Sequence, residues 1–200
     1  MNIEPSRQHQ KNELRLQLRQ KRTGVEPGQR QAWDASINRH LLDFAATNPP
    51  RLVAAFMAFD GEPDLAPALN ELDRLGIRLA LPVVRDGDGR ADICFRRWSP
   101  SSEMQRNRYG IAEPVGTLDV RLDEIDLALI PLVGWDSHGG RLGMGASFYD
   151  RMFQPLTDLD RPFRMGVAYQ LQQVEHLPLD PWDIRLHGML TESGCFTCRS

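Results

Sequence analysis

The chain has 200 residues, a formal net charge of −3, 41% hydrophobic and 26% charged side chains. This suits one folded domain with one sizeable core, and the slightly acidic balance argues against a nucleic-acid binder. Apolar stretches stop short of the ~20 residues of a membrane span, no apolar leader opens the polar N-terminus, and Cys94, Cys195 and Cys198 make no disulfide framework, so the expected compartment is the cytoplasm and no membrane partner is expected.

Residues 1–10, polar with Pro5 and no periodicity, are expected to be a flexible N-terminus. A helix is predicted over 11–22, where Leu14 and Leu18 form an i, i+4 apolar pair and Lys11, Arg15, Arg19 and Arg22 make a basic stripe. Taken alone, such a stripe reads first as a solvated face. Lys11 and Lys21 are the only lysines; arginine carries the remaining positive charge. A second helix is predicted over 27–46, with Trp33, Ile37, Leu41 and Leu42 on its apolar side.

The nearly continuous apolar run 52–59 reads as a strand covered on both faces. A helix over 64–75 follows, with Leu65, Leu69 and Leu72 on one face and Gly76 as its stop. A strand over 77–84 completes a βαβ unit, so a parallel sheet with a right-handed crossover is expected. Ligands bind at the carboxyl ends of such strands, which makes Glu62 in the connecting loop a candidate contact. Its alternative is a solvated loop acid, with Asp64 as the helix cap. Further strands are expected at 91–98, after a turn at 86–89, at 126–133 and at 164–169. Cys195 and Cys198 have metal-ligand spacing but lack two further ligands, so residues 195–200 read as a tail.

The run from Gly139 to Arg151, Gly-Gly-Arg-Leu-Gly-Met-Gly-Ala-Ser-Phe-Tyr-Asp-Arg, follows the 126–133 segment and precedes a short helix. Glycines allow close backbone approach to a phosphate, and N–H groups at a helix start point toward it. Arg141 and Arg151 add positive charge, and Asp150 adds a carboxylate where a magnesium ion on phosphates could sit. The run lacks the lysine of the Walker pattern and the third glycine of the dinucleotide pattern. On its residues alone it is equally a phosphate cradle or an ordinary tight connection.

The segment from Pro131 to Arg151, with Trp135-Asp136, Gly-x-Arg-Leu-Gly-x-Gly and a closing Phe148-Tyr149-Asp150-Arg151, resembles the signature of the 5-formyltetrahydrofolate cyclo-ligase family. The resemblance continues at Lys11-x-x-x-Arg15, Glu62-Pro63-Asp64, Gly110-Ile111-Ala112-Glu113-Pro114, Trp182-Asp183 and Thr191-Glu192. It implies a single three-layer α/β domain over 11–194, with a mostly parallel sheet flanked by helices, as in the ribose-phosphate isomerase and coenzyme-A transferase group. It implies ATP- and magnesium-dependent closure of 5-formyltetrahydrofolate to 5,10-methenyltetrahydrofolate, with ADP and phosphate released. The chemical difficulty is a poor leaving group: phosphorylating the formyl oxygen lets a neighbouring folate nitrogen close the ring and expel phosphate.

The resemblance assigns Lys11, Arg15, Arg141, Gly143, Gly145 and Tyr149 to ATP, and Asp150 and Asp183 to Mg2+. It gives Met57, Glu62, Met144 and Phe148 to the reduced folate. Arg141 and Tyr149 are the candidate catalytic residues, although Tyr149 could equally pack behind the turn. Asp136 is expected to brace the glycine turn. A monomer is expected. The sequence departs from the family pattern at Ala146 and Ser147, where glycine or lysine and then glycine are usual, and at Trp182 and His187. If Ser147 occupies a glycine's positive φ, the strain is ~1 kcal/mol or more. These departures keep two other readings open: a non-catalytic folate or nucleotide binder, and a ligase for another formyl substrate. A sugar-phosphate isomerase is a third, opposed by the acidic pair.

Overall fold

The computed structural model describes residues 6–86, 90–156, 159 and 161–198. Helix α1 (Arg7–Thr23) starts four residues before the predicted 11, because the Ser6 hydroxyl accepts from His9 N–H and caps it. Residues 7–10 are therefore helical rather than a loose leader, while 1–5 lie outside the described residues. Helix α2 (Pro27–Thr47) matches its predicted span within a residue.

Strand β1 (Leu52–Ala54) is shorter than the apolar run suggested. Ala55 still donates to the Ala80 carbonyl, and the chain then leaves the sheet with Phe56 buried. Helix α3 (Ala66–Arg74) is capped by Leu65, with the Asp64 carboxylate accepting from Ala66 N–H, and Gly76 ends it at φ +81°. Strand β2 (Arg78–Asp86) pairs parallel with β1, as a βαβ unit requires. The turn predicted at 86–89 lies outside the described residues beyond Asp86. Strand β3 (Ala91–Trp98) returns antiparallel along β2.

A small hairpin of β4 (Met104–Arg106) and β5 (Ala112–Pro114) follows, then edge strand β6 (Asp119–Val120) on β3. Strand β7 (Leu127–Pro131) enters beside β1. The glycine-rich run is not a plain turn from strand to helix. Its Arg141–Leu142 forms β9, paired with β8 (Gly134–Trp135) in a second hairpin before helix α4 (Phe148–Phe153). Strands β10 (Phe163–Val167) and β11 (Gly188–Thr191) extend the sheet in parallel.

The expected tail is partly a strand. Residues of β12 (Gly194–Thr197) pair antiparallel with β11, Cys195 opposite Leu190. The backbone ladder supplies order that a short, polar-looking segment did not reveal. The eight-stranded order is β12-β11-β10-β7-β1-β2-β3-β6, parallel through its middle and antiparallel at both edges.

Two apolar layers bury the sheet. On one face Ile37 and Leu41 of α2 and Leu69 and Leu72 of α3 pack on Val53, Leu79 and Leu129. On the other, Phe153 of α4 and Ile184 and Leu186 pack on Ala54, Phe95 and Ile130. The three layers that the resemblance implied are thus present, and α1 lies apart from both helical layers, against β8 and the 170–172 turn. None of the described helices is long and apolar enough to cross a membrane.

Candidate active site

The carboxyl ends of β1, β2 and β7 open into a cavity of about 470 Å³. All twelve residues assigned from sequence line it: Lys11, Arg15, Met57, Glu62, Arg141, Gly143, Met144, Gly145, Phe148, Tyr149, Asp150 and Asp183. They arrive from α1, the loop after β1, the glycine run, α4 and the segment before β11. Its lining combines these charged residues with apolar ones, among them Phe56, Pro82, Val84, Ile93 and Ile111.

The basic stripe of α1 is not a solvated face. Lys11 and Arg22 are buried and only Arg19 is well exposed. Lys11 Nζ donates to Asp180 at 2.7 Å and to Asp183 at 2.5 Å. Arg15 donates from Nε to the Gly143 carbonyl at 2.9 Å, tying α1 to the glycine loop. Burial lowers the Arg15 pKa, with Asp183 opposing that shift. Arg22 supports the loop after β1, donating to the Asp60 carboxylate and carbonyl and to the Leu132 carbonyl.

Arg141 donates from Nη2 to Asp150 at 2.5 Å, while its buried Nε has no hydrogen-bond partner among the described residues. A buried guanidinium N–H without an acceptor is costly, and an anion entering the cavity would relieve it. Burial pulls the Arg141 pKa down, and Asp150, Asp183 and Tyr149 push it back up.

Asp150 Oδ1 also accepts from Ile184 N–H, which sets its carboxylate against the residue following Asp183. Asp183 Oδ2 takes Lys11 and the Asp180 N–H. The second oxygen of each carboxylate accepts nothing among the described residues. Two neighbouring carboxylates with free oxygens suit a hydrated magnesium ion that completes its shell with phosphate oxygens.

The loop from Gly143 to Ser147 connects β9 to α4. Gly145 has φ +106°, which a side chain would strain, and Gly143 leaves room where a Cβ would first meet Arg141 Nη1 at 3.6 Å. Ser147 has φ +51° and caps α4 without a side-chain hydrogen bond, so it does occupy a left-handed position. The Ala146 carbonyl accepts from Arg151 Nη1, and the Arg151 guanidinium lies 5.3 Å from the Phe148 ring centre. Asp136 braces the preceding hairpin, accepting from the N–H groups of His138, Gly140 and Leu177.

Glu62 Oε2 accepts from Phe59 N–H, and Oε1 lies 4.0 Å from Arg22. Burial pushes its pKa up to about 7, against the opposing charge of Arg22. The Tyr149 hydroxyl is raised by burial and then by the Glu62 charge, and its ring stacks on Phe153. Tyr149 thus lines the cavity and packs on the core at once. Met57 and Phe148 are half-buried, and Met144 is exposed at the rim.

Sequence reasoning assigned no role to Asp180, Trp182 or Glu113, which also line the cavity. Asp180 stood three residues before a flagged aspartate, and Glu113 lay inside a recognised motif. The Cys195–Cys198 pair forms no metal-binding cluster with other His, Cys, Asp or Glu among the described residues.

The sequence pattern of the 5-formyltetrahydrofolate cyclo-ligase family matches residues 7–192. A 5-formyltetrahydrofolate cyclo-ligase of Escherichia coli K12 is 36% identical over 180 residues, covering 88% of this chain and 97% of the relative. The Haemophilus influenzae protein of the same name is 32% identical, covering 90% and 96%. The solved 5,10-methenyltetrahydrofolate synthetase of Aquifex aeolicus superposes with a TM-score of 0.81 at 30% identity, covering 95% of this chain and 93% of that one. The Mycoplasma pneumoniae synthetase gives 0.74 at 27% identity, covering 91% and 98%. With the fold shared across nearly its whole length, the chain belongs to the 5-formyltetrahydrofolate cyclo-ligase family of ligases.

Proposed function

We propose that the protein cyclises 5-formyltetrahydrofolate to 5,10-methenyltetrahydrofolate, using ATP and magnesium and releasing ADP and phosphate. The observation that carries this reading is one cavity lined by the glycine loop, by cations and by apolar side chains together. Lys11, Arg15 and Arg141 bind and align the phosphates, and the backbone of 143–147 follows them closely. Asp150 and Asp183 would hold a magnesium ion, which would neutralise charge on the phosphate oxygens. Glu62, Met57 and Phe148 orient the folate so that its formyl oxygen faces the phosphate end, and the apolar walls keep water from the activated carbon.

Catalysis of this kind is alignment and charge neutralisation, with no covalent work for the protein. In this reading Tyr149 and Arg141, which both line the cavity, touch the reacting atoms. The test follows growth of the methenyl absorbance with purified protein, 5-formyltetrahydrofolate and magnesium, with and without ATP. ATP-dependent product is expected. Arg141→Ala, Asp150→Ala and Asp183→Ala should each lose turnover by about two orders of magnitude or more while keeping the native circular dichroism. Survival of turnover in all three would overturn the site assignment. Binding of both ligands by the wild type without product would point to a sequestering protein.

A further inference from the structure

We propose that Glu113 is a second substrate-binding carboxylate, whose free oxygen accepts a hydrogen bond from the 2-amino group of the reduced pterin ring. This rests on the cyclo-ligase reading above. Glu113 lies in β5 and lines the cavity. Its Oε1 is committed, accepting from Val84 N–H at 2.8 Å and from the Asn107 side-chain amide at 2.6 Å. Among the described residues its Oε2 accepts no hydrogen bond, and no cation lies within ion-pair distance. The carboxylate is thus fixed by two donors and keeps one acceptor for a ligand.

The chemistry of the substrate supplies the match. The formyl group sits on N5 and must reach the phosphates near Arg141 and the glycine loop. The 2-amino group lies across the ring system from N5, so that placement turns it away from the glycine loop. Val84 and Ile93, paired across β2 and β3, line the cavity with Ile111, and Glu113 is the anionic acceptor hydrogen-bonded beside them. Glu62 sits beside Arg22, and Tyr149 feels its charge. A charge-assisted bond from the amino group to the free oxygen is expensive to lose among apolar neighbours.

The test uses Glu113→Gln, which retains an acceptor for Val84 and Asn107 and places an NH2 where the free oxygen stood. By calorimetry, 5-formyltetrahydrofolate should bind about tenfold or more weakly, with unchanged affinity for magnesium–ATP and unchanged melting temperature. A 2-desamino-2-methyl analogue of the substrate should bind the wild type about tenfold or more weakly than the parent and should bind the variant no worse than the parent. Equal folate affinity in the two proteins, or equal discrimination against the analogue, would overturn the proposal. Because binding is read directly, a wild type that binds folate without turning it over would defeat the catalytic reading and leave this inference standing or falling on its own.

Discussion

Ser147 shows how one side chain can carry a backbone cost. It holds φ +51° and ψ 28° at the start of α4 without returning a capping hydrogen bond. Ser147→Gly removes that strain, partly offset by the greater freedom glycine has when unfolded, so stability should rise by about 0.5–1 kcal/mol. Urea unfolding of the two proteins measures it. Glu62 sets a pH dependence. Its folded pKa of about 7 lies above the ordinary 4.5, so the unfolded chain gives up this proton first as pH rises. Stability from this residue is fully present below about pH 4.5, and up to about 3 kcal/mol of it is lost by pH 7. Glu62→Gln should remove that slope, and unfolding free energies at pH 5 and 8 for both proteins would reveal it. That the motif residues gather around one cavity was legible in the sequence. Asp180 was not, because its meaning lies in Lys11, which the fold brings to it from a distant part of the chain.

At the scale of elements, α1 matters because it delivers cations rather than apolar packing. Lys11 and Arg7 both grip Asp180, whose carboxyl is held low, first by Lys11 and then by Arg7. Asp180→Asn weakens that grip while leaving Asp183 in place. The expected outcome is a KM for ATP raised about three- to tenfold, as for loss of one charge-assisted bond, with the KM for 5-formyltetrahydrofolate unchanged. Steady-state kinetics in each substrate separates the two. Periodicity located α1, α2, α3 and the β1–β2 unit to within a few residues. It overextended β1, since Phe56 and Met57 stay apolar after the chain leaves the sheet to wall the cavity. It missed β12, whose order comes from a ladder with β11 and not from its own composition. The hairpin before the glycine loop was hidden for a similar reason, its two strands being only two residues each.

The whole molecule assembles its site from both ends of the chain around a sheet whose parallel middle the βαβ pattern announced. Ligands that bridge α1, the glycine loop and the 180–183 segment should stabilise the fold as one unit. At a hundredfold excess over Kd, magnesium–ATP should add about 2.7 kcal/mol, or roughly 5–10 °C in Tm for a chain of this size. A thermal melt with and without the ligand checks this, and an unmoved transition would mean the nucleotide does not bind the native protein. The strand order itself was not readable, because hydrophobic pattern marks strands without saying which neighbours they choose.

That strand order also bears on how the protein comes into being. Strand β1 is flanked by β2 and β7, so one of its edges stays unpaired until residue 127 is available, and β10 and β11 must then add beyond β7. The Lys11–Asp183 pair joins positions 172 residues apart. During synthesis the emerging chain therefore carries an open, apolar sheet edge for much of its length, and pairings this distant form slowly. The ion-paired junction between α1 and the 180–183 segment can close only after residue 183 has been made.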